Sequence, residues 1–286
     1  MANTETTSTA TRAWAPDLTA YAPADVVPDA LILQTSTVAG NVEGDAPAVR
    51  VAFATDAAAG FVAEGAPIDE ANPGLDECLV YTGKVSQLIR LSREQWAQPR
   101  TAEMLATSVQ RAILRAANIA YLAQAAPVAP AVTPPGGLLN VVGIETAGDD
   151  VTGSLDNLVD LIATLEGNGG SPSHIIMAPD AWAVIQKMKL GADYNAPLLG
   201  AGTEATVKRL LGLPVLVSSA MTTLSGLVVD RTAIVSAVGQ VQVATSEHVY
   251  FNTDGIALRA TWRFGANVVH PDRIGSFVVA DPAIVP

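Results

Sequence analysis

A long amphipathic segment, "PRTAEMLATSVQRAILRAANIAYLAQAA" at residues 99–126, constrains the fold of this chain more than any other feature. Its apolar side chains recur every three or four residues, which predicts a helix with one buried face. At about 1.5 Å per residue the helix would be about 35 Å long, which is unusual for a compact globule of this size. "PVAPAVTPPGG" at 127–137 then interrupts regular structure. The apolar stripe consists of Leu105, Val109, Ala112, Ile113, Ala116, Ile119 and Ala120.

Two strand patterns precede this helix and enclose an acidic segment. "AVRVAFAT" (48–55) alternates Val49, Val51 and Phe53 with smaller or polar residues, which predicts a strand with one buried face. "CLVYTGKVSQLIRLSRE" (78–94) predicts a second, longer strand, and together the two strands predict a large hairpin. Between them, residues 61–78 carry five carboxylates and no Lys, Arg or His. The inner face of the longer strand is predicted to carry Leu79, Tyr81, Val85, Ile89 and Leu91.

The remaining segments predict a terminal arm, a compact α/β region and closing strands. Residues 1–30 are rich in Thr, Ala and Pro and lack periodicity, so we expect an extended arm that a neighbouring molecule orders, with a disordered segment as the alternative. From residue 138 onward, short helix and strand patterns alternate. Near the C-terminus, Ile256, Leu258 and Ala260 alternate with Ala257 and Arg259, which predicts long strands that close a sheet.

Composition narrows the choice of partner and compartment. The 286 residues carry a formal charge of −12 with only four lysines, and this disfavours tight nucleic-acid binding, which needs clustered cations. The N-terminus does not have the pattern of a signal peptide, and the apolar runs end before the ~20 residues that cross a bilayer. The single cysteine, Cys78, excludes an internal disulfide. We expect synthesis in the cytoplasm and no membrane association.

Catalytic and metal-binding motifs find little support in the sequence. The three histidines, His174, His248 and His270, lie in or beside strand patterns, and no Gly-x-Ser-x-Gly motif is present. "GAGTEATVKR" (200–209) matches neither phosphate-binding fingerprint. The carboxylates of 61–78 occur as one single residue and two adjacent pairs, whereas calcium loops need alternate spacing. We therefore predict no catalytic, cofactor-binding or metal-binding residues.

An interaction surface is the interpretation that remains for the acidic segment. Its charge complements arginines on and just before the predicted helix, and a hairpin held out by long strands reaches a neighbouring copy more easily than its own helix. Exposed ion pairs contribute only ~0–1 kcal/mol each, so they would set register while apolar side chains supply affinity. Solvated charge on a mobile loop is the alternative. The predicted interface residues are Phe61, Glu64, Ile68, Asp69, Glu70, Asp76, Glu77, Arg90, Arg93, Arg100, Arg111 and Arg115.

The order of these elements resembles the major capsid proteins of tailed phages, which share the Hong Kong 97 fold. "FVAEGAPIDE" (61–70) looks like the E-loop of that family, and "VYTGKVSQLIRLSREQW" (80–96) looks like the strand that returns from it. "LLGLPVLVSSAM" (210–221) and "FNTDGIALRATWRFGANVVHPDRIGSFVVA" (251–280) are similar to two further family segments. The resemblance covers nearly all of the chain after residue 30.

The resemblance implies an α+β, Hong Kong 97-like capsid fold built from five consecutive parts. The long helix would be the spine helix of the family, and the acidic hairpin its extended E-loop. The implied parts are an N-terminal arm at 1–46, the E-loop at 47–92, the spine helix with part of a peripheral (P) domain at 93–139, an axial (A) domain at 140–245, and C-terminal P-domain strands at 246–286.

The resemblance also implies a function. The chain would be a major capsid protein that self-assembles, as hexamers and pentamers, into an icosahedral shell around double-stranded DNA without sequence-specific binding. We expect it in the virion capsid, after synthesis and assembly in the cytoplasm of a bacterial host. A portal protein, a separate scaffolding protein and decoration proteins are the further partners to expect.

Two departures from the family pattern refine these expectations. Some members join subunits covalently through a lysine of the E-loop, but residues 51–83 contain no lysine and Lys84 lies in the returning strand. We therefore expect non-covalent contacts. Some members also carry a long helical scaffolding segment at the N-terminus, whereas residues 1–30 are short and lack a helical pattern. Scaffolding is therefore expected from a separate protein.

Two other functions remain open at this point. A cellular nanocompartment (encapsulin-like) shell would share the fold, but such shells usually begin with an amphipathic helix that docks cargo. A soluble α/β enzyme with an acidic lid would instead be a monomer or small oligomer with a cleft and a perturbed acid or base. Electron microscopy of the purified protein would separate shells from small particles.

Overall fold

The computed structural model of the protein describes residues 18–54, 61–62, 75–98, 100–191, 194–198 and 208–280. Helix and strand are both well represented in these ranges, as the α+β prediction requires. The helices are α1 (Pro23–Val26), α2 (Leu31–Thr35), α3 (Arg93–Trp96), α4 (Thr101–Ala123), α5 (Asp156–Gly167) and α6 (Pro179–Lys187).

The strands form two larger sheets and two short hairpins. Those before α4 are β1 (Leu18–Tyr21), β2 (Thr37–Asn41), β3 (Ala48–Ala54), β4 (Leu75–Tyr81) and β5 (Gly83–Ser92). Those up to residue 217 are β6 (Glu145–Thr146), β7 (His174–Met177), β8 (Lys189–Gly191), β9 (Tyr194–Pro197), β10 (Arg209–Leu210) and β11 (Leu213–Val217). The last are β12 (Ser225–Val229), β13 (Ile234–Val238), β14 (Val241–Tyr250), β15 (Gly255–Val268) and β16 (Ile274–Val278).

The first sheet is built around β15. One edge of β15 pairs with β13 and then β14, and its other edge pairs along ten residues with β5. Strands β1 and β2 extend the sheet beyond β14 and β13, respectively. Trp262 is fully buried in β15, and its indole Nε1 donates a hydrogen bond to the carbonyl oxygen of Gly239, between β13 and β14, at 2.9 Å. The prediction of long C-terminal strands that close a sheet is confirmed.

Helix α4 packs on one face of this sheet, as the amphipathic pattern predicts. Val109, Ile113 and Ala117 are buried in the main hydrophobic core, together with Tyr121. The helix has 23 residues, which corresponds to about 35 Å. The predicted buried stripe includes Ile119, but 43% of its surface is exposed, so the prediction is wrong for this residue. It lies two positions from both Ala117 and Tyr121, about 200° around the helix from each, because successive residues are 100° apart.

The predicted hairpin forms, but its second strand is two strands. β3 and β4 pair antiparallel from Ala48–Tyr81 to Ala54–Leu75, and the chain then turns at Thr82 into β5. The buried Thr82 side chain donates to the carbonyl oxygen of Ala46 at 2.6 Å, and its amide donates to that of Pro47 at 2.9 Å. Thr82 thereby shifts the alternation of faces. Cys78 and Val80 are the buried side chains of β4, not the predicted Leu79 and Tyr81.

The predicted strand also ends earlier than expected. Arg93 starts the short helix α3, which Ser92 and Gln95 cap reciprocally. The sequence Ser-x-x-Gln is a capping-box signature, which indicates a helix start inside the segment that the strand pattern covers. Within β5 itself, Val85 and Ile89 pack against the core as predicted.

The second sheet has the strand order β10-β11-β7-β12-β16-β6. Leu158, Leu161 and Leu165 of α5 and Trp182 and Ile185 of α6 are buried in the main core, which also includes this sheet. The predicted boundary at 245/246 falls inside β14, and β16 pairs with β12 in the second sheet. Because strand pairing does not by itself define domains, the bounds 1–46, 47–92, 93–139, 140–245 and 246–286 stay a prediction.

No helix in the described ranges is both long and apolar enough to cross a membrane.

Candidate subunit interface

The base of the hairpin β3–β4 is held to the first sheet by polar contacts. The carboxylate of Asp45, in the turn before β3, accepts a hydrogen bond from Lys84 Nζ at 2.6 Å and lies 3.3 Å from Arg263 Nε. The hydrogen bond from Lys84, with the positive charges of Lys84 and Arg263, lowers the pKa of Asp45. Further along, Asn267 Nδ2 donates to the carbonyl oxygen of Leu79 at 3.1 Å. These contacts fix where the hairpin leaves the body of the protein.

A small hydrophobic core lies beneath the same part of the hairpin. Val51, Cys78 and Val80 from the hairpin pack with Val235 and Ala237 of β13. Burial raises the pKa of the Cys78 thiol, which therefore stays protonated and serves as a small apolar side chain. The hairpin base is thus part of the folded subunit.

The outer part of the hairpin presents apolar and acidic side chains to solvent. Phe61 is fully exposed and Val62 is 45% exposed. Asp76 and Glu77 at the start of β4 are exposed, and Glu77 lies 3.5 Å from Arg50 across the hairpin. Four predicted interface residues lie outside the described residues: Glu64, Ile68, Asp69 and Glu70.

Arg93 is already paired within the subunit. Its Nε lies 2.8 Å from an Asp254 oxygen, and its Nη1 lies 3.3 Å from a Glu247 oxygen. These hydrogen bonds and charges raise the pKa of Arg93. Arg93 therefore joins α3 to the end of β14 and the turn that follows, and it is less available to a neighbour than the sequence suggested.

Arg90 is exposed and held in place by uncharged groups. Its guanidinium carbon lies 4.4 Å from the centre of the Tyr250 ring, a cation–π distance, and Nη2 donates a hydrogen bond to Thr253 Oγ1. Neither partner neutralises its charge, so Arg90 offers a positioned cation to an acidic partner.

The other three predicted arginines lie on or next to α4. Arg100 precedes the helix, and Arg111 and Arg115 lie on the side that is exposed while Val109 and Ile113 are buried. In the described part of the chain, no ion pair involves these three arginines. Arg111 and Arg115 line a shallow cavity of about 270 Å³ with the Ser218–Ala220 turn.

The structure does not bring Arg90 together with Arg111 and Arg115. Ile89 packs against the core on the α4 side of the first sheet, opposite Leu258 in register. Because successive strand residues point to opposite faces, Arg90 points away from α4. Arg111 and Arg115 lie beyond α4, on the other side of the sheet.

Sequence reasoning missed two exposed residues that share the face of Arg90. Leu88 is 59% exposed, and Arg259 is exposed directly opposite it in β15. Alternation in "GIALRATWR" predicts that Arg259 points away from the buried face. The same pattern does not indicate whether another element covers the face that carries Arg259.

Groups that could support chemistry are dispersed. No cluster of three or more His, Cys, Asp or Glu side chains that could hold a metal ion occurs among the residues with described positions. His174 lies in β7, where burial and the nearby Arg231 lower its pKa, and Nδ1 lies 3.1 Å from Ser173 Oγ. This arrangement suits a structural histidine. The exposed hairpin and the basic surfaces suit protein–protein contact.

A comparison with protein-family models assigns the chain. The model described as "Phage capsid family" matches residues 26–278. The chain belongs to the phage capsid family. In the comparison with curated proteins, no match was found.

Solved structures show the same fold at low sequence identity. A Microbacterium phage Oxtober96 structure matches with a TM-score of 0.66 and 13% identity, covering 98% of this chain and 96% of that one. The capsid of an empty GTA particle computed with C5 symmetry matches with a TM-score of 0.64, 18% identity and the same coverage. A Mycobacterium phage Ogopogo structure matches with a TM-score of 0.62 and 17% identity, covering 87% and 92% of the two chains.

These matches confirm the resemblance inferred from the sequence. The chain is a major capsid protein of the tailed-phage type with the Hong Kong 97-like α+β fold. It is a structural protein that self-assembles into a shell and is located in the virion capsid, rather than an enzyme. The nanocompartment and soluble-enzyme alternatives are not favoured.

Proposed function

We propose that the capsid protein builds its shell without covalent links, by docking the outer part of the acidic hairpin onto a basic surface of a neighbouring copy. One observation carries this proposal: the hairpin base is fixed by Asp45 and a small core, while Phe61 is fully exposed. A hairpin with a fixed base, an exposed aromatic side chain and excess negative charge is suited to a partner outside the subunit.

The charges and the apolar residues have different roles in this contact. Each exposed ion pair contributes only ~0–1 kcal/mol, so the carboxylates select the position of the neighbour rather than supply most of the affinity. Phe61, Val62 and Ile68 provide the apolar area. Because every copy both donates a hairpin and receives one, the contact is head-to-tail and closes into rings, as hexamers and pentamers require.

The remaining features of the proposal concern the assembled particle. The shell encloses double-stranded DNA of a tailed phage, and a net charge of −12 per chain keeps the shell from adhering to it. A portal protein, a separate scaffolding protein and decoration proteins are proposed partners. Assembly is proposed to take place in the cytoplasm of the bacterial host.

Charge reversal in the hairpin tests the proposal. The triple variant Glu64→Lys, Asp69→Lys, Glu70→Lys should leave the subunit folded, by circular dichroism, but reduce the yield of shells in sedimentation and negative-stain microscopy. The charge-matched control is Asp149→Lys, Asp150→Lys, Glu166→Lys, which reverses exposed carboxylates elsewhere. Normal shells from the hairpin variant would show that its charge serves only solubility.

A further inference from the structure

A cavity of about 530 Å³ lies between the first half of α4 and the first sheet. Its floor includes Val243 and Leu258 of β14 and β15, and its helical wall includes Ala106 and Thr107. The cavity opens to the surface, because lining residues such as Thr107 and Thr245 are exposed. The short side chains of the helical wall thus leave room between the helix and the sheet.

Two aromatic side chains that line this cavity are incompletely covered. Trp96 of α3 is half-buried, and 45% of the Tyr21 surface is exposed. The other two tryptophans whose positions are described, Trp182 and Trp262, are buried. Large aromatic side chains contribute much of the stability of cores and interfaces when they are covered. The cavity therefore favours an apolar occupant that packs against Trp96.

The described part of the N-terminal arm is bound along its own subunit, beside the cavity. Strand β1 pairs antiparallel with the edge of β14, beginning with Leu18 opposite Ala244. The carbonyl oxygen of Val26 in α1 accepts a hydrogen bond from Gln110 of α4. Tyr21 and Val26 themselves line the cavity. From residue 18 onward, the arm thus connects the sheet edge to α4 within one chain.

The register of β1 indicates how close the preceding residues are to the cavity. Continued by one residue, the antiparallel pairing brings the chain to Thr245, which lines the cavity. Trp14 lies four positions before Leu18, a span of at most about 14 Å. It is the single aromatic residue of segment 1–17. Trp14 can therefore reach the cavity without any change in the described part of the arm.

The charge of the cavity walls complements the arm as well. Asp25 and Glu103 are the charged residues among the described lining, and both are acidic. Glu103 forms no ion pair within the part of the chain that the structure describes. Arg12, two residues before Trp14, is the one Lys or Arg of segment 1–17. An acidic hairpin would instead bring carboxylates next to carboxylates, which is unfavourable.

We infer that the N-terminal arm of the same chain closes this cavity, with Trp14 packed against Trp96 and Arg12 beside Glu103. The docked arm covers the floor of the cavity and holds the first half of α4 on the sheet. Because only three residues join Trp14 to β1, its effective concentration at the cavity is far higher than that of an arm from another copy. The inference concerns the packing of a single subunit and is independent of the hairpin contact proposed above.

Disulfide trapping in the unassembled, full-length subunit tests the position of the arm. Ala15→Cys combined with Thr107→Cys should oxidise to a disulfide within one chain, seen as a monomer of altered mobility on a non-reducing gel. The matched control combines Ala15→Cys with Thr164→Cys, at an exposed threonine of α5, and should stay unlinked. Cys78 is buried and stays in place, and the single variant Ala15→Cys controls for a link to it.

Amide hydrogen exchange tests the role of the indole. Trp14→Ala should speed exchange of the α4 amides from Ala106 to Gln110 about tenfold, because the helix loses the cover that limits its local opening. Trp14→Phe keeps a large apolar side chain and should leave these rates within about twofold of wild type. The second half of α4, around the buried Ala117, is the internal control and should exchange at the same rate in both variants.

Three outcomes would overturn the inference. A disulfide between two chains would show that the arm of another copy occupies the cavity. Absence of the disulfide, with unchanged exchange in Trp14→Ala, would show that the arm lies elsewhere. A disulfide within one chain, with unchanged exchange in Trp14→Ala, would show that the arm passes the cavity without inserting the indole.

Discussion

At the scale of single residues, Asp45 determines how firmly the hairpin is attached. It is the one described carboxylate close to both Lys84 and Arg263, and these cations lower its pKa. A carboxylate whose pKa is lower in the folded state stabilises that state above the pKa of the unfolded chain. This stabilisation is lost as the pH falls through the folded pKa. The attachment should therefore weaken only in acid, below the ordinary Asp value of about 3.9.

Replacing Asp45 tests this attachment. Asp45→Asn should lower the free energy of unfolding of the unassembled subunit by up to about 1 kcal/mol near neutral pH, because Asp45 is half exposed and solvent screens both ion pairs. The difference from wild type should disappear in acid, as the carboxylate protonates. Urea unfolding near neutral pH and in acid measures this difference in the free energy of unfolding. Glu43→Gln, an exposed carboxylate in the same turn, should change stability less, and an equal effect of both variants would refute the role of Asp45.

At the scale of elements, the hairpin and β15 approach each other too closely for a side chain between them. A Cβ at Gly265 would lie 1.9 Å from the carbonyl oxygen of Tyr81, where the backbone cannot yield by a rotamer change. Gly265 is therefore required by the meeting of two backbones, not by a turn. This contact joins the hairpin β3–β4 to the sheet that α4 covers.

Gly265→Ala should consequently destabilise the subunit by about 3 kcal/mol or more, because β15 or β4 must move. Gly167→Ala is the matched control. Gly167 is the last residue of α5 and has no atom near its Cβ position, so alanine there should be neutral or slightly stabilising. Urea unfolding of both variants provides the comparison. Equal stability of the two variants would show that the close approach is not maintained in solution.

At the scale of the whole molecule, the distribution of lysine leads us to expect subunits that are joined without covalent links. Residues 51–83 contain no lysine, and Lys84 at the hairpin base is paired with Asp45. A hairpin without lysine at residues 51–83 offers no amine in that segment for an isopeptide link to a neighbour. The shell should depend on many individually weak contacts that repeat around it.

Denaturing gel electrophoresis of assembled shells tests this expectation. The protein should run as a single monomer band after the particles are heated in detergent, because non-covalent contacts do not survive that treatment. Unassembled subunits provide the control for band position. A ladder of higher bands in the shell sample alone would demonstrate covalent joining.

Local patterns predicted the elements but not where they bend. The spacing of Val109 and Ile113 is enough to predict the buried stripe of α4. The spacing of Val49 and Val51 is likewise enough to predict the buried face of β3. Sequence patterns did not predict the break at Thr82, because its buried hydroxyl donates a hydrogen bond to the carbonyl oxygen of Ala46, 36 residues earlier. The exposure of Ile119 was not predicted because periodicity gives the centre of an apolar stripe but not its width.

The sequence by itself determined the long helix, the hairpin and its excess of negative charge, because these depend on the spacing and type of neighbouring residues. Only the tertiary structure decided which of the predicted arginines have partners within the subunit. It pairs Arg93 with Glu247 and Asp254, and it separates Arg90 from Arg111 by the thickness of a sheet and a helix. The reason is physical: a sheet face is covered or left open by elements distant in sequence. Pairing between β5 and β15, more than 160 residues apart, brings Leu88 and Arg259 together.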